Sequence, residues 1–230
     1  MPILMEGVET MKELKITDKK ELIKLTSYIV MGDGGVYPSG SYCMFSMNMQ
    51  TKNKDFIGFC EQVMGNITTA KTRDYLGGFE CNSKLTSLTT LSHPTFTKLR
   101  NRIYTLKYKG IDPHALKLMD AQALSILYQC DGSYSKDKRT LSPEAGRKVT
   151  LNMKRLSYGD QYILREAIRS KLGIDFNIHR QNQYYYLSLR SSDIDKFFEM
   201  ITPYMFDSFL YKLSDGWLQK ILDGDIVRSV

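Results

Sequence analysis

The sequence predicts an α+β fold made of two copies of one unit, a helix, a hairpin, a helix, a hairpin and a helix, or αββαββα twice. Three observations predict it. An apolar helical run ends on Asp-Gly in "LTSYIVMGDGG" and again in "LSILYQCDGSY". Each run gives way to strict alternation of apolar and polar residues, and the same order of elements then recurs. The spacings agree as well: Asp33 to Asp131 is 98 residues, Asn48 to Asn152 is 104, and Lys109 to Lys212 is 103. The longer loop "SKDKRTLSPEAG" in the second half fits the difference between the first two figures.

The first helix starts near Thr17 or Asp18, either of which can cap its opening turn. It carries Leu22, Leu25 and Ile29 at helical spacing, with Ile23, Thr26 and Val30 beside them. Gly32 and Gly34 end it and leave Asp33 at the C-terminal tip, where the helix dipole is negative. In the second half Asp120 caps a helix through Leu124, Leu127 and Tyr128 to Cys130, which delivers Asp131 to the same place. An acidic residue there is electrostatically unfavourable unless a cation joins it.

In "SYCMFSMNMQ", Cys43, Phe45, Met47 and Met49 share one face, with Tyr42, Ser46, Asn48 and Gln50 opposite. In "RKVTLNMK", Val149, Leu151 and Met153 oppose Lys148, Thr150, Asn152 and Lys154. This is a sheet with one face on a core and the other on solvent or a ligand. Helices follow in "NKDFIGFCEQVMG" and "SYGDQYILREAIRSKLG", then hairpins in "TTAKTRDYLGGFECNSKLTSLTTL" and "DFNIHRQNQYYYLSLRS". The closing helices are "HPTFTKLRNRIYTLKYK" and "SDIDKFFEMITPYMFDSFLYKL".

The net charge of +7 and the 15 Tyr and 10 Phe point to a folded, basic protein with an anionic partner, nucleic acid first among them. Cys43, Cys60, Cys81 and Cys130 form no CxxC pair and lack a histidine at zinc spacing, so reduced, mostly buried thiols are expected. No secretory signal and no apolar run of membrane-spanning length is visible, which predicts a soluble, intracellular protein without a membrane partner. His93, His114 and His179 are scattered and read as structural, "GDGG" lacks the Lys-Ser/Thr of a phosphate loop, and Trp217 reads as packing for a terminal helix.

Two Asp-Gly-terminated helices about one half-chain apart, each followed by a hairpin, resemble the LAGLIDADG homing endonucleases in their monomeric, two-motif form. The motifs are "TSYIVMGDG" and "LSILYQCDG". The link "PTFTKLRNRIYTLKYKGIDPHALKLMDAQALSILYQCDGSY" and the closing "PYMFDSFLYKLSD" resemble the family as well, so the likeness runs from about Asp18 to Leu213. It implies an N-terminal extension (1–16), a first repeat (17–110), a second repeat (111–214) and a helical tail (215–230). It also implies two antiparallel four-stranded sheets in a DNA-binding saddle with the motif helices packed at the centre. The third motif position is Tyr28 or Ile126 and the sixth Met31 or Gln129, so close helix packing falls to Ser27, Gly32, Ser125 and Cys130.

The resemblance further implies that Asp33 and Asp131 meet at adjacent tips and hold magnesium, for which manganese can substitute, with backbone carbonyls of Gly32 and Cys130 nearby. Lys212 and Lys109 would be the basic residues beside the two centres, with Lys107 as the fallback for Lys109. The polar sheet faces would read double-stranded DNA through Ser46, Asn48, Gln50, Lys71 and Arg73 in the first half. In the second they would use Lys148, Thr150, Asn152, Lys154, Arg180, Gln183, Tyr184, Tyr186 and Arg190. Leu187 and Leu189 would face the core, and the basic loop with Lys136, Lys138 and Arg139 would grip backbone. The expected activity is metal-dependent, site-specific hydrolysis of both strands of a long target by a monomer, in the cytoplasm or organelle that holds the target genome. The alternative is the same fold without cleavage, as an RNA intron maturase or a DNA-binding regulator.

Overall fold

The structure is a computed structural model that describes residues 14–77, 83–106, 108–136, 146–189 and 191–229. Its elements in order are α1 (Lys19–Met31), β1 (Gly35–Ser39), β2 (Tyr42–Gln50), α2 (Lys54–Gly65), β3 (Ala70–Gly77), β4 (Ser83–Thr90) and α3 (Pro94–Ile103). A short pair, β5 (Tyr104–Thr105) and β6 (Tyr108–Lys109), and the single turn α4 (Pro113–Leu116) lead into the second half. There follow α5 (Ala121–Asp131), β7 (Gly132–Lys136), β8 (Arg147–Leu151), α6 (Tyr158–Leu172), β9 (Phe176–Gln181), β10 (Tyr184–Leu189), α7 (Ile194–Ile201) and α8 (Asp215–Leu222).

Two antiparallel four-stranded sheets result, ordered β1-β2-β4-β3 and β7-β8-β10-β9. The identical order reflects the repeat. In both, the hairpin nearest the motif helix supplies the edge strand first, and the second hairpin returns to pair its later strand beside it. Capping works as the sequence suggests, with Asp18 accepting from the Lys20 N–H and Asp120 from the Ala123 N–H.

One face of each sheet packs on helices. Cys43, Phe45, Met47 and Met49 are buried in the first half, and Val149, Leu151, Phe176, Leu187 and Leu189 in the second. The apolar core is continuous from Leu25 to Trp217. Trp217 packs against Phe198 and donates its indole N–H to Asp195. Among the described residues no helix is long and apolar enough to cross a membrane.

The two motif helices lie side by side and parallel, because they touch at both ends. Near the N-termini Lys24 of α1 is ion-paired to Asp120, the cap of α5. At the C-termini a Cβ on Gly32 would meet Cys130 Sγ at 2.5 Å. Gly32 and Cys130 therefore make the close approach. The hydroxyls of Ser27 and Ser125 find partners outside the pair: Ser27 donates to Asp112 at 2.9 Å and Ser125 to the Tyr204 carbonyl at 3.1 Å. Small hydroxyls inside a helix pair satisfy themselves on whatever acceptor is near, and here those acceptors lie in the segments that flank the pair.

The closing helices are shorter than the sequence suggests. The stretch expected to stay helical to residue 109 leaves the helix after Ile103, and Leu106 takes a left-handed φ of 58° in the tight turn between β5 and β6. In the second half α7 ends at Ile201. Pro203 and the residues after it form short 3-10 turns (Thr202–Tyr204 and Asp207–Lys212) because proline cannot continue the hydrogen-bond ladder.

Candidate active site between the two motif helices

Asp33 and Asp131 sit at the adjacent C-terminal ends of α1 and α5, as the contact of Gly32 with Cys130 requires. Two negative helix ends and two carboxylates meet here, and the chain places two ammonium groups among them. Lys109 Nζ donates to the carbonyls of Gly32 at 2.6 Å and Gly34 at 2.7 Å. Lys212 Nζ donates to the Gln129 carbonyl at 2.6 Å. Each lysine thus satisfies carbonyls that its motif helix leaves without a partner. The early ending of the two closing helices is what turns β6 and the last 3-10 segment back toward these tips.

A third cation joins them. Arg155 Nη1 lies 3.1 Å from Asp131 Oδ2. Loss of water around its carboxyl raises the Asp33 pKa, and the nearby Asp131 charge raises it further, against Lys109, Lys212 and Arg155. Burial first and Arg155 second bring Lys109 down to about 8. Burial lowers Lys212 too. The Cys130 thiol, enclosed between the helices, is pushed well above its ordinary range by burial and then by the two aspartates. Five charged groups therefore feel one another across the junction of the two halves.

Asp33 and Asp131 fit a divalent metal. Their oxygens are hard donors, and a cation would offset both the loss of water that chiefly raises Asp33 and the added push of the Asp131 charge. Among the described residues no group of three or more His, Cys, Asp and Glu side chains gathers, so water and phosphate would complete the shell. The Gly32 carbonyl already accepts from Lys109 and keeps one lone pair for a further partner.

The first sheet carries its predicted residues on one face. Ser46, Asn48 and Gln50 of β2 pair with Thr89, Ser87 and Leu85 of β4, which pair in turn with Lys71, Arg73 and Tyr75 of β3. The second sheet matches in part. Lys148, Tyr184 and Tyr186 share the polar face with Ser133, Ser135 and Ser188. Lys148 lies 5.2 Å from the Tyr186 ring centroid. Gln183 stands in the β9–β10 turn and donates to the Tyr184 hydroxyl.

Four positions differ from expectation. Thr150 is buried, linked at 2.8 Å to Ser133 and covered by Asn152, whose amide donates to both hydroxyls. Lys154 lies past the end of β8, because the chain turns toward α6 after Leu151. Arg180 alternates with His179 and so falls on the Phe176–Ile178 side, its Nε donating to the Asn182 carbonyl. Lys136 follows Tyr134, which packs on Phe198, and takes the helix side for the same reason. His179, by contrast, stacks on Tyr186 on the polar face. Lys107, Lys138, Arg139, Arg190 and Cys81 lie outside the described residues.

The pairing of Asp131 with Arg155 is the feature that sequence reading misses. The offset of 104 residues between Asn48 and Asn152 puts Thr51 opposite Arg155, so the repeat gives it no counterpart. Its only signal is position, just after the strand that runs beside Asp131.

The two-sheet architecture with paired acidic helix tips defines a LAGLIDADG protein, and the model of the LAGLIDADG DNA endonuclease family matches residues 29–197. The chain belongs to that family. It is 29% identical over 127 residues to the uncharacterised protein MJ1098 of Methanocaldococcus jannaschii, a match covering 55% of the chain and 47% of the relative. It is 23% identical over 208 residues to Protein RecA of Mycolicibacterium flavescens, covering 86% of the chain and again 47% of the relative. The chain thus spans about half the length of these curated relatives. Among solved structures it resembles the homing endonuclease I-WcaI bound to its DNA recognition sequence, with a TM-score of 0.69, 17% identity, and coverage of 88% and 89% of the two chains. That likeness shows a shared fold.

Proposed function

We propose that this chain is a site-specific endonuclease that binds a long duplex across its two sheets and hydrolyses both strands with a divalent metal, magnesium first. The observation that carries the reading is the pair of acidic tips with both motif helices retained and a half-buried lysine on the end of each. A domain that merely bound DNA would have no use for two mutually repelling carboxylates at the centre of a basic molecule. The metal supplies activation of water and stabilisation of the departing oxygen.

The chain's own groups do the rest. Asp33 and Asp131 hold the charge that positions the cation. Lys109 and Lys212, already fixed on the helix ends, put positive charge beside each centre, where it offsets the charge that grows on phosphorus oxygens. Because Lys109 titrates near 8, it can also exchange a proton with a neighbouring water near neutral pH. The exposed Asn48, Gln50, Lys71 and Arg73 on one sheet, and the exposed Lys148 and Tyr184 with the half-buried Tyr186 on the other, have the chemistry for base edges and backbone.

The test is a plasmid library of random target sites incubated with magnesium. Linearisation is expected with the wild type and should fall at least about a hundredfold in Asp33→Asn or Asp131→Asn. Cutting that persists unchanged in both variants removes the assigned roles. Tight, specific binding with no cutting under magnesium or manganese would make the chain a non-cleaving DNA-binding protein of the same fold.

A further inference from the structure

The two acidic centres are unequal in one respect. Arg155 faces Asp131, and its counterpart by the 104-residue offset is the neutral Thr51, whose hydroxyl lies 3.3 Å from that of Thr86. The Arg155–Asp131 pair is well enclosed, with side-chain exposures of 28% and 17%. Asp33 makes no ion pair among the described residues, because Lys109 and Lys212 spend their short contacts on carbonyls. One tip therefore arrives in a direct ion pair, and the other arrives with cations near it but none bound to its carboxylate.

We propose that Arg155 is a built-in counter-cation and positioning residue: in the DNA-free chain it occupies Asp131 so that a divalent cation enters against Asp33, and it moves to a DNA phosphate when duplex docks, releasing the Asp131 carboxylate. The proposal rests on the metal-dependent reading above. A guanidinium suits both partners, since its planar fork pairs equally well with a carboxylate and with a phosphodiester. There is room for the exchange. Arg155, Lys109, Lys154 and Tyr184 line one groove of about 710 Å³ between the β5–β6 turn and the β9–β10 hairpin. Arg102, held on Asp112, and Asp160 line it too, so a phosphate near Arg155 would have Lys109 and Lys154 as the further cations. The arrangement keeps the second carboxylate from being filled by metal until substrate is in place.

The experiment needs no knowledge of the target. Mn2+ is titrated into the DNA-free full chain and the loss of free-ion signal is followed by electron paramagnetic resonance. The wild type should bind Mn2+ weakly and lose that binding in Asp33→Asn. Arg155→Ala should bind on the order of tenfold more tightly, the effect of removing a unit charge that repels a divalent ion across several ångströms of wet surface. Arg155→Lys, which keeps the charge, should stay close to wild type. The gain should vanish when Asp131→Asn is added to Arg155→Ala, which general loosening of the fold would not achieve. Equal affinity in wild type and Arg155→Ala overturns the proposal and leaves the metal-dependent reading standing, as does a gain that survives Asp131→Asn. Absence of Mn2+ binding in both proteins overturns the proposal alone, because the metal-dependent reading draws part of the shell from DNA phosphate and is tested by cleavage.

Discussion

Replacing Gly32 by alanine tests the central geometry directly. Its Cβ would stand 2.5 Å from Cys130 Sγ and 2.9 Å from Cys130 Cβ, with the Tyr28 carbonyl at 3.4 Å. The sulfur can swing away about χ1, but the Cys130 Cβ is fixed to the backbone, so the overlap with it is relieved only by moving α1 and α5 apart. Overpacking of this kind costs about 1–3 kcal/mol, and two overlaps at a buried helix contact put Gly32→Ala near 3 kcal/mol. For a chain of this size that is a fall in Tm of roughly 6–12 °C. Urea unfolding of the single and double variants is the assay. Cys130→Gly removes both overlapping atoms and should restore most of the loss, less a helix penalty of about 1 kcal/mol for the new glycine. Cys130→Ala removes the sulfur alone and should restore only part. If Gly32→Ala is as stable as wild type, or if its cost simply adds to that of Cys130→Gly, the two tips are not in contact and the shared site is refuted.

Two further outcomes follow from the charges. Lys109 is lowered to about 8 in the folded chain from an ordinary 10.5, so between those values the unfolded chain holds a proton that the folded chain has released. Stability therefore rises with pH across that window, and wild type should gain roughly 1–2 kcal/mol relative to Lys109→Met between pH 8 and 9.5, measured by urea unfolding in EDTA; a flat difference would show that Lys109 titrates normally. Asp112 is fully buried and accepts from Arg102 at 2.9 Å, from Ser27 at 2.9 Å and from the His114 N–H at 3.0 Å. Arg102→Met should cost about 3 kcal/mol by stranding that carboxylate, and adding Asp112→Asn should return much of it.

Much of the architecture was legible because it is written locally. Alternation in "SYCMFSMNMQ" reports which side of a strand is buried, and β2 buries Cys43, Phe45, Met47 and Met49 as that pattern requires. Caps at Asp18 and Asp120 are likewise local, since the carboxylate reaches an N–H two or three residues on. Where reading failed, the cause lay beyond the local window. Alternation runs on through "LNMK" to Lys154 in the sequence, but the chain turns away after Leu151 to begin α6. In "NIHRQ" no apolar neighbour follows Ile178 to fix the parity, so the sequence leaves open that His179, and not Arg180, takes the polar face.

The sequence by itself determined that the molecule is a duplicated αββαββα unit whose halves each present an aspartate at the end of an apolar helix. Only the tertiary structure decided what surrounds those aspartates. The lysines that cap the motif helices come from 77 residues beyond Gly32 and 83 beyond Gln129, and Arg155 reaches Asp131 from 24 residues on. Periodicity tells a segment which face to bury, but it carries no information about what will be found across that face. Electrostatics acts through space, over a few ångströms, and those distances exist only once the two halves have closed on each other.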